Sequence, residues 1–211
     1  EARALNADVI ISCYFPHVVP AEMLELYPGR AFNLHPAPLP RYRGPSPVGS
    51  MVADDTLLTD GAMTLHLMVP ELDAGDIIAQ APLGLGVGDG YEEMIAACCT
   101  AARGLTRQSL QDYLAGTIRA IAQDPALATE ANSTLADLSL SSRLTFEQIK
   151  VRTGMLSHFK NLEVDGVENA RAGRTVQSVG APTGAPPNVT RHFIEMDARD
   201  ARVRIERVHT I

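Results

Sequence analysis

The 211-residue sequence predicts an α/β fold, and three stretches carry that reading. Val9-Ile10-Ile11-Ser12-Cys13 is a short apolar run of the kind that forms a buried parallel strand. Ala62 to Val69 alternates in part and reads as a second strand, and Asp76-Ile77-Ile78-Ala79-Gln80 opens another. Tyr91, Met94, Ile95, Cys98, Leu105, Leu110, Tyr113 and Leu114 recur at helical spacing, so Gly90 to Ala115 reads as a long amphipathic helix. A break is expected at Gly104 and a stop at Gly116.

The other elements follow in order. After the first strand comes the loop Tyr14-Phe15-Pro16-His17-Val18-Val19-Pro20, then a short helix pattern from Ala21 to Leu26. Arg30-Ala31-Phe32 leads out of a strand whose two-residue period puts Asn33 and His35 on one face. Behind them Pro36, Pro38, Pro40, Gly44 and Pro45 forbid a helix and stiffen the loop. Ser46-Pro47-Val48 reads as a helix start running to Ala53, and Asp54 to Asp60 as a polar turn. Thr117 to Ala122 gives a short extended segment, and Asp124 to Ser142, small and polar, reads as a linker. Thr145 and Gln148 make a capping box for a helix beginning around Phe146. Gly173 to Val179, Arg191 to Met196 and Ala201 to Val208 alternate with turn residues and predict a small β-rich appendage. Residues 1–140 are thus expected to form a core and residues 141–211 a small C-terminal domain.

Apolar content near half and modest charge describe an ordinary globular chain. Cys13, Cys98 and Cys99 are odd in number and two are adjacent, so no disulfide framework is implied, and a reducing, cytoplasmic location is expected. A structural role is expected for both members of the adjacent pair. No metal-ligand spacing is visible, and no apolar run approaches the ~20 residues of a membrane helix. The net charge of -7 argues against a partner held by phosphate neutralisation. Phe146 to Ile211 carries 10 basic and 8 acidic side chains, and the first 145 residues 8 and 17, so neither part is a platform for tRNA.

The stretch Asn33-Leu34-His35-Pro36-Ala37-Pro38-Leu39-Pro40-Arg41-Tyr42-Arg43-Gly44 sets an amide beside an imidazole at a strand end. Leu72-Asp73-Ala74-Gly75-Asp76 offers a carboxylate in a glycine turn after the Met63 to Val69 run. Asn33, His35 and Asp73 are therefore the candidate catalytic residues. The ensemble Asn-x-His-Pro-x-x-Leu-Pro-x-Tyr-Arg-Gly-x-x-Pro, followed about 30 residues later by apolar-x-Asp-x-Gly-Asp-Ile-Ile, resembles the folate-dependent formyltransferase family. That family includes methionyl-tRNA formyltransferase, the amino-sugar N-formyltransferases and glycinamide ribonucleotide transformylase. The resemblance is strong from about Ala7 to Gln80. It departs where the family usually has Ser-Leu and this chain has Ala37-Pro38.

The resemblance implies a Rossmann-like formyltransferase core, preceded in the family by further strands and helices, so the chain is expected to be a fragment. It implies formyl transfer from 10-formyltetrahydrofolate to an amine, with the loop after the first strand and the segment before Asp73 contacting the folate. The folate-contact residues so implied are Phe15, His17, Val18, Val19, Met68, Val69 and Leu72, although Val18 and Val19 suit a core equally well. Asn33 would donate to the developing oxyanion, and Asp73 would raise the proton affinity of His35 so that a protonated imidazole donates as well. His66, which shares a strand face with Thr64, fits a satisfied edge histidine better than a catalyst. Arg41 and Arg43 read equally as acceptor or phosphate contacts and as solvated surface. The acidic charge favours a small-molecule amine, such as an amino sugar or amino acid, over aminoacyl-tRNA. A formyltetrahydrofolate hydrolase and a non-catalytic folate-binding fragment are the rival readings. Nothing in the sequence fixes an oligomeric state.

Overall fold

A computed structural model describes residues 7–133, 140, 143–156, 163–169, 189–200 and 202–210. The chain divides into two compact units, one of Glu1–Leu85 and Met94–Asp137, the other of Gly86–Glu93 and Leu138–Ile211.

The first unit is built on a four-stranded sheet of order β1-β2-β3-β4, with β1 at Ile10–Cys13, β2 at Ala31–His35, β3 at Ala62–Leu67 and β4 at Ile77–Pro82. Only β1 and β2 run parallel; β3 is antiparallel to both β2 and β4, so the sheet is mixed. Order in the sheet explains burial along each strand. The central strands are covered on both faces: in β2 every residue but Asn33 is buried, and in β3 all but Leu67. Strand β1 was expected to be buried; among the described residues it pairs with β2 alone and Ile11 is 40% exposed.

Short helices pack the connections. Between β1 and β2 lies α1 (Ala21–Leu24); α2 (Pro47–Ala53) starts with Pro47 just inside its N-terminus, as its sequence predicts. The polar turn expected over Asp54 to Asp60 instead contains a short helix, α3 (Leu57–Asp60), because Leu57 has an apolar site to fill and is buried. Phe32, Met51, Val52, Leu57, Met63 and Leu65 are all nearly inaccessible and form the core around β2 and β3.

Helix α4 (Tyr91–Leu105) buries Met94, Cys98, Ala102 and Leu105, one face of the predicted amphipathic pattern. The expected break falls after Gly104, in a π-helical turn at Thr106–Leu110 that leads into α5 (Gln111–Leu114). Gly116 ends this run at φ +77°, as a left-handed helix stop should. Cys98 packs inside, but Cys99 faces out, since neighbours in a helix point in different directions; all three cysteines are free.

The segment from Asp124 was expected to be a linker. Its described part is fastened instead: Arg43 N–H donates to the Thr129 carbonyl at 2.8 Å, Ala131 N–H to the Arg43 carbonyl at 2.6 Å, and Ser46 N–H to the Ala131 carbonyl at 3.0 Å. Ala131 is fully buried, so its small size serves close packing rather than mobility.

In the second unit α6 (Phe146–Leu156) opens with the predicted capping box. Thr145 N–H donates to Gln148 Oε1 at 2.7 Å, and Gln148 N–H to Thr145 Oγ1 at 3.2 Å. Three strands, β5 (Glu163–Asn169), β6 (Val189–Asp197) and β7 (Arg202–Thr210), form an antiparallel sheet of order β5-β7-β6. The strand expected at Gly173 to Val179 lies outside the described residues.

Candidate active site

The register of β2 against β3 sets Asn33 opposite His66 and His35 opposite Thr64. Two buried imidazoles therefore stand near one another, with ring centroids 6.4 Å apart. Asp73 reaches them from the β3–β4 connection. It adopts φ +52°, a left-handed conformation unusual for a residue with a Cβ. Two residues on, a Cβ at Gly75 would collide with the Leu67 carbonyl oxygen, so only glycine lets this turn lie so close to β3.

The Asp73 carboxylate is the hub. Its Oδ1 accepts from Asn33 Nδ2 at 3.2 Å and its Oδ2 from the Gly44 N–H at 3.0 Å. His35 Nδ1 stands 3.5 Å from Oδ2, and His66 Nε2 stands 3.6 Å from Oδ1. Asn33 and His35, from one strand, and Asp73, from the β3–β4 connection, are thus brought together. His66, read from sequence as an edge histidine, is 1% exposed and belongs to the same cluster.

Backbone carbonyls orient both rings. A carbonyl only accepts, so His35 Nε2 donates to Tyr42 O at 2.7 Å and His66 Nδ1 donates to Leu67 O at 2.8 Å. In the neutral rings the other nitrogen of each is then unprotonated, and both face Asp73. His66 Nε2 can accept from Asn33 Nδ2, 3.2 Å away. Asn33 therefore spends both amide hydrogens inside the cluster, one on Asp73 and one on His66.

Asp73 was expected to raise the proton affinity of His35, and its charge does act in that direction. Burial is the larger influence and pushes the imidazole below its ordinary value; Asp73 and the Tyr42 carbonyl pull it up, and His66 pushes it down again. For Asp73, burial pushes the carboxyl up, but the His66 ring beside it, the charge His35 carries when protonated, and the Gly44 N–H outweigh it and hold the carboxyl below the usual carboxylate range.

The folate-contact set is divided by the structure. Phe15, His17 and Val18 are exposed and Val19 half-buried; at 71% exposure Val18 is no core residue. Their loop leaves β1 where Cys13 pairs with Leu34, beside the end of β2 that carries His35. Met68 donates its N–H to Ala31 O at 2.8 Å, so Met68 and the following Val69 leave at the opposite end of β2. Leu72 borders a cleft of about 440 Å³ that is also lined by Arg43, Gly44, Glu71, Thr129 and Glu130.

Both arginines have protein partners. Arg41 Nη2 pairs with Asp60 Oδ2 at 2.8 Å. Arg43 donates to Gln123 Oε1 from Nε at 3.0 Å and from Nη2 at 2.7 Å. Thr64 Oγ1 donates to Ala37 O at 2.6 Å and accepts from Gln80 Nε2 at 2.9 Å, pinning the proline-rich loop from below. Gly44, Gln123 and Gln80 carried no signal of these roles in the sequence; for His66, the shared face with Thr64 was the usable one. Among the described residues no group of three or more His, Cys, Asp and Glu could hold a metal ion. No described helix is long and apolar enough to cross a membrane.

Residues 1–104 match the formyl transferase family profile. A methionyl-tRNA formyltransferase from Listeria welshimeri is 34% identical over 155 residues, 71% of this chain and 49% of that protein, so the chain spans about half the length of this relative. The formyltransferase PseJ from Anoxybacillus kamchatkensis, solved in complex with UDP-4,6-dideoxy-4-formamido-L-AltNAc and tetrahydrofolate, superposes with a TM-score of 0.54 at 25% identity, over 62% of this chain and 67% of that one. A methionyl-tRNA formyltransferase from Clostridium thermocellum shares the fold, with a TM-score of 0.59 at 16% identity over 100% of this chain and 81% of that one. Residues 1–104, the segment that carries Asn33, His35, His66 and Asp73, thus match the formyl transferase family.

Proposed function

We propose that this chain transfers a formyl group from 10-formyltetrahydrofolate to the amine of an acceptor, with residues 1–140 as the catalytic core and residues 141–211 as an accessory domain. The observation that carries the reading is the convergence of Asn33 and His35 on the Asp73 carboxylate, at 3.2 Å and 3.5 Å. A preorganised polar cluster of this kind suits acyl transfer, where negative charge grows on the carbonyl oxygen and the attacking amine loses a proton. When bound, the folate supplies an activated formyl carbon. The exposed apolar side chains of Phe15 and Val18, on the loop beside the end of β2 that carries His35, offer surface for its rings.

The residues divide the work. Asn33 has the amide N–H to donate to the formyl oxygen, and releases it by giving up its contact with His66 or Asp73. His35 accepts at Nδ1 the proton lost by the attacking amine, its Nε2–H staying on Tyr42 O, and returns it to the folate nitrogen as the bond from that nitrogen to the formyl carbon breaks. Asp73 stabilises the imidazolium so formed, 3.5 Å away. This reading assigns His35 a proton-accepting role in the resting site rather than a charged donor role.

The acceptor is proposed to be a small amine. Glu71 and Glu130 in the cleft beside Gly44, and the -7 net charge, favour a cationic amine over a polyphosphate such as tRNA. The complete protein, given 10-formyltetrahydrofolate and a panel of amino sugars, amino acids and charged initiator tRNA, tests this directly. Formate release at the same rate without any amine would establish a hydrolase instead, and transfer to tRNA alone would overturn the acceptor class.

A further inference from the structure

We infer that Gln123 is a positioning residue, whose side-chain amide locks the turn bearing Asp73 to the loop bearing Gly44. For its catalytic meaning this rests on formyl transfer being the reaction. Gln123 lies beyond the residues matched by the family profile and within a stretch that reads as featureless in sequence.

The amide is saturated. Nε2 donates to the Asp73 carbonyl at 2.8 Å and the Gly75 carbonyl at 2.7 Å, using both of its hydrogens. Oε1 accepts both Nε–H and Nη2–H of Arg43, using both of its lone pairs. One side chain thus joins two segments 50 and 80 residues away. The backbone on either side of Gln123 is tied to the same two segments. Ile121 exchanges two hydrogen bonds of 2.8 Å with Ile77, at the start of β4, and Thr129 and Ala131 pair with Arg43. Gln123 stands where this strap passes from one to the other.

The turn needs such a hold. Asp73 sits at φ +52°, which side chains with a Cβ disfavour, and its carboxylate must meet Gly44, Asn33, His35 and His66 at once. Removing the two donors from the turn leaves the Asp73 and Gly75 carbonyls without that partner and lets the backbone relax toward ordinary φ, carrying the carboxylate off His35. Arg43 completes the arrangement. Its guanidinium is committed to Gln123, so it acts through the turn rather than as a free cation in the cleft.

The test uses the complete protein with Gln123→Met, which keeps chain length but has no amide, and Gln123→Glu, which keeps both acceptors for Arg43 but loses both donors. In each, kcat for formyl transfer is expected to fall about tenfold or more while KM for the formyl donor stays within about twofold. The melting transition is expected to remain cooperative. In Gln123→Met the NMR titration midpoint of the His35 ring is expected to move by about half a pH unit or more, since the carboxylate beside it is displaced. A merely structural role would not move that midpoint in folded protein. Wild-type kcat in both variants with an unchanged His35 midpoint would overturn the inference, as would a rate loss that only tracks the unfolded fraction. Should Gln123→Met not fold, Gln123→Glu carries the kinetic test through its retained pair with Arg43. Should the wild-type protein transfer no formyl group, the functional reading fails, and the His35 midpoint alone decides whether Gln123 holds Asp73.

Discussion

Replacing Asp73 by Asn probes the centre of the site with the smallest change of shape. The carboxylate accepts from Gly44 N–H at 3.0 Å and Asn33 Nδ2 at 3.2 Å, and faces His35 Nδ1 at 3.5 Å. An amide has one oxygen. Whichever way it is turned, its NH2 is set against either the Gly44 N–H or the Asn33 amide, so one buried hydrogen bond becomes a donor–donor contact worth about 1–3 kcal/mol. The melting temperature is then expected to fall by about 2–4 °C for each kcal/mol in a chain of this size. Catalysis should suffer more, because the charge that stabilises protonated His35 is gone. Loss of one preorganised electrostatic partner costs about 2.7–4 kcal/mol, or about 10²–10³-fold in kcat. The assay is the initial rate of formyl transfer, with donor affinity measured separately and expected to stay close to wild type. A folded Asp73→Asn variant that retains more than about a tenth of the wild-type rate, a deficit under about 1.4 kcal/mol, would refute the electrostatic role.

Three further outcomes follow from the same contacts. His35 has its affinity for protons lowered by folding, so as the pH falls the unfolded chain binds that proton first. The contribution is fully present above the ordinary value of 6.5 and is lost as the pH drops toward the folded-state value. Thermal melts from pH 7 to 5 should therefore lose less stability in His35→Gln than in wild type, and equal slopes would count against the burial argument. Asp73, also lowered on folding, adds a second loss at more acidic pH, below its ordinary 3.8 and through its folded value. Gly75→Ala should cost several kcal/mol, about 2 or more, because the new methyl meets the Leu67 carbonyl oxygen; a chemical-denaturation midpoint like that of wild type would show the turn to be looser than described. Phe32→Ala, at a fully buried ring packed edge-on to Tyr113, should cost about 3–5 kcal/mol by the same measurement.

Sequence reading and structure agree where the physics is local. The period of β2 puts Asn33 and His35 together, Pro47 marks the start of α2, and the Thr145–Gln148 box forms as the spacing demands. They part where distant segments decide. His66 reads as one polar residue in an alternating strand; its role comes from a register that sets it against Asn33 and from Asp73 folding back from the β3–β4 turn. The pull of Asp73 on His35 was legible because nearness to a carboxylate is visible in a motif; the larger, opposite effect of burial was not, because the extent of desolvation is set by the fold. The small, polar residues after Asp124 look like linker by composition, yet alanine and threonine are also what a backbone needs to lie close against another backbone.

The separation between Arg43 and its partners near residues 123–131 bears on how the molecule is made. During synthesis all four strands of the first sheet emerge before Ile121 does, and they can pair while the Asp73 turn still lacks its distal anchors. Closing a span of about eighty residues adds little to the entropic cost beyond that of a shorter one, but contacts so far apart in sequence form late. A nascent chain would thus acquire its sheet first and its chemistry afterwards, and ligand affinity would report the last stage of assembly rather than the first.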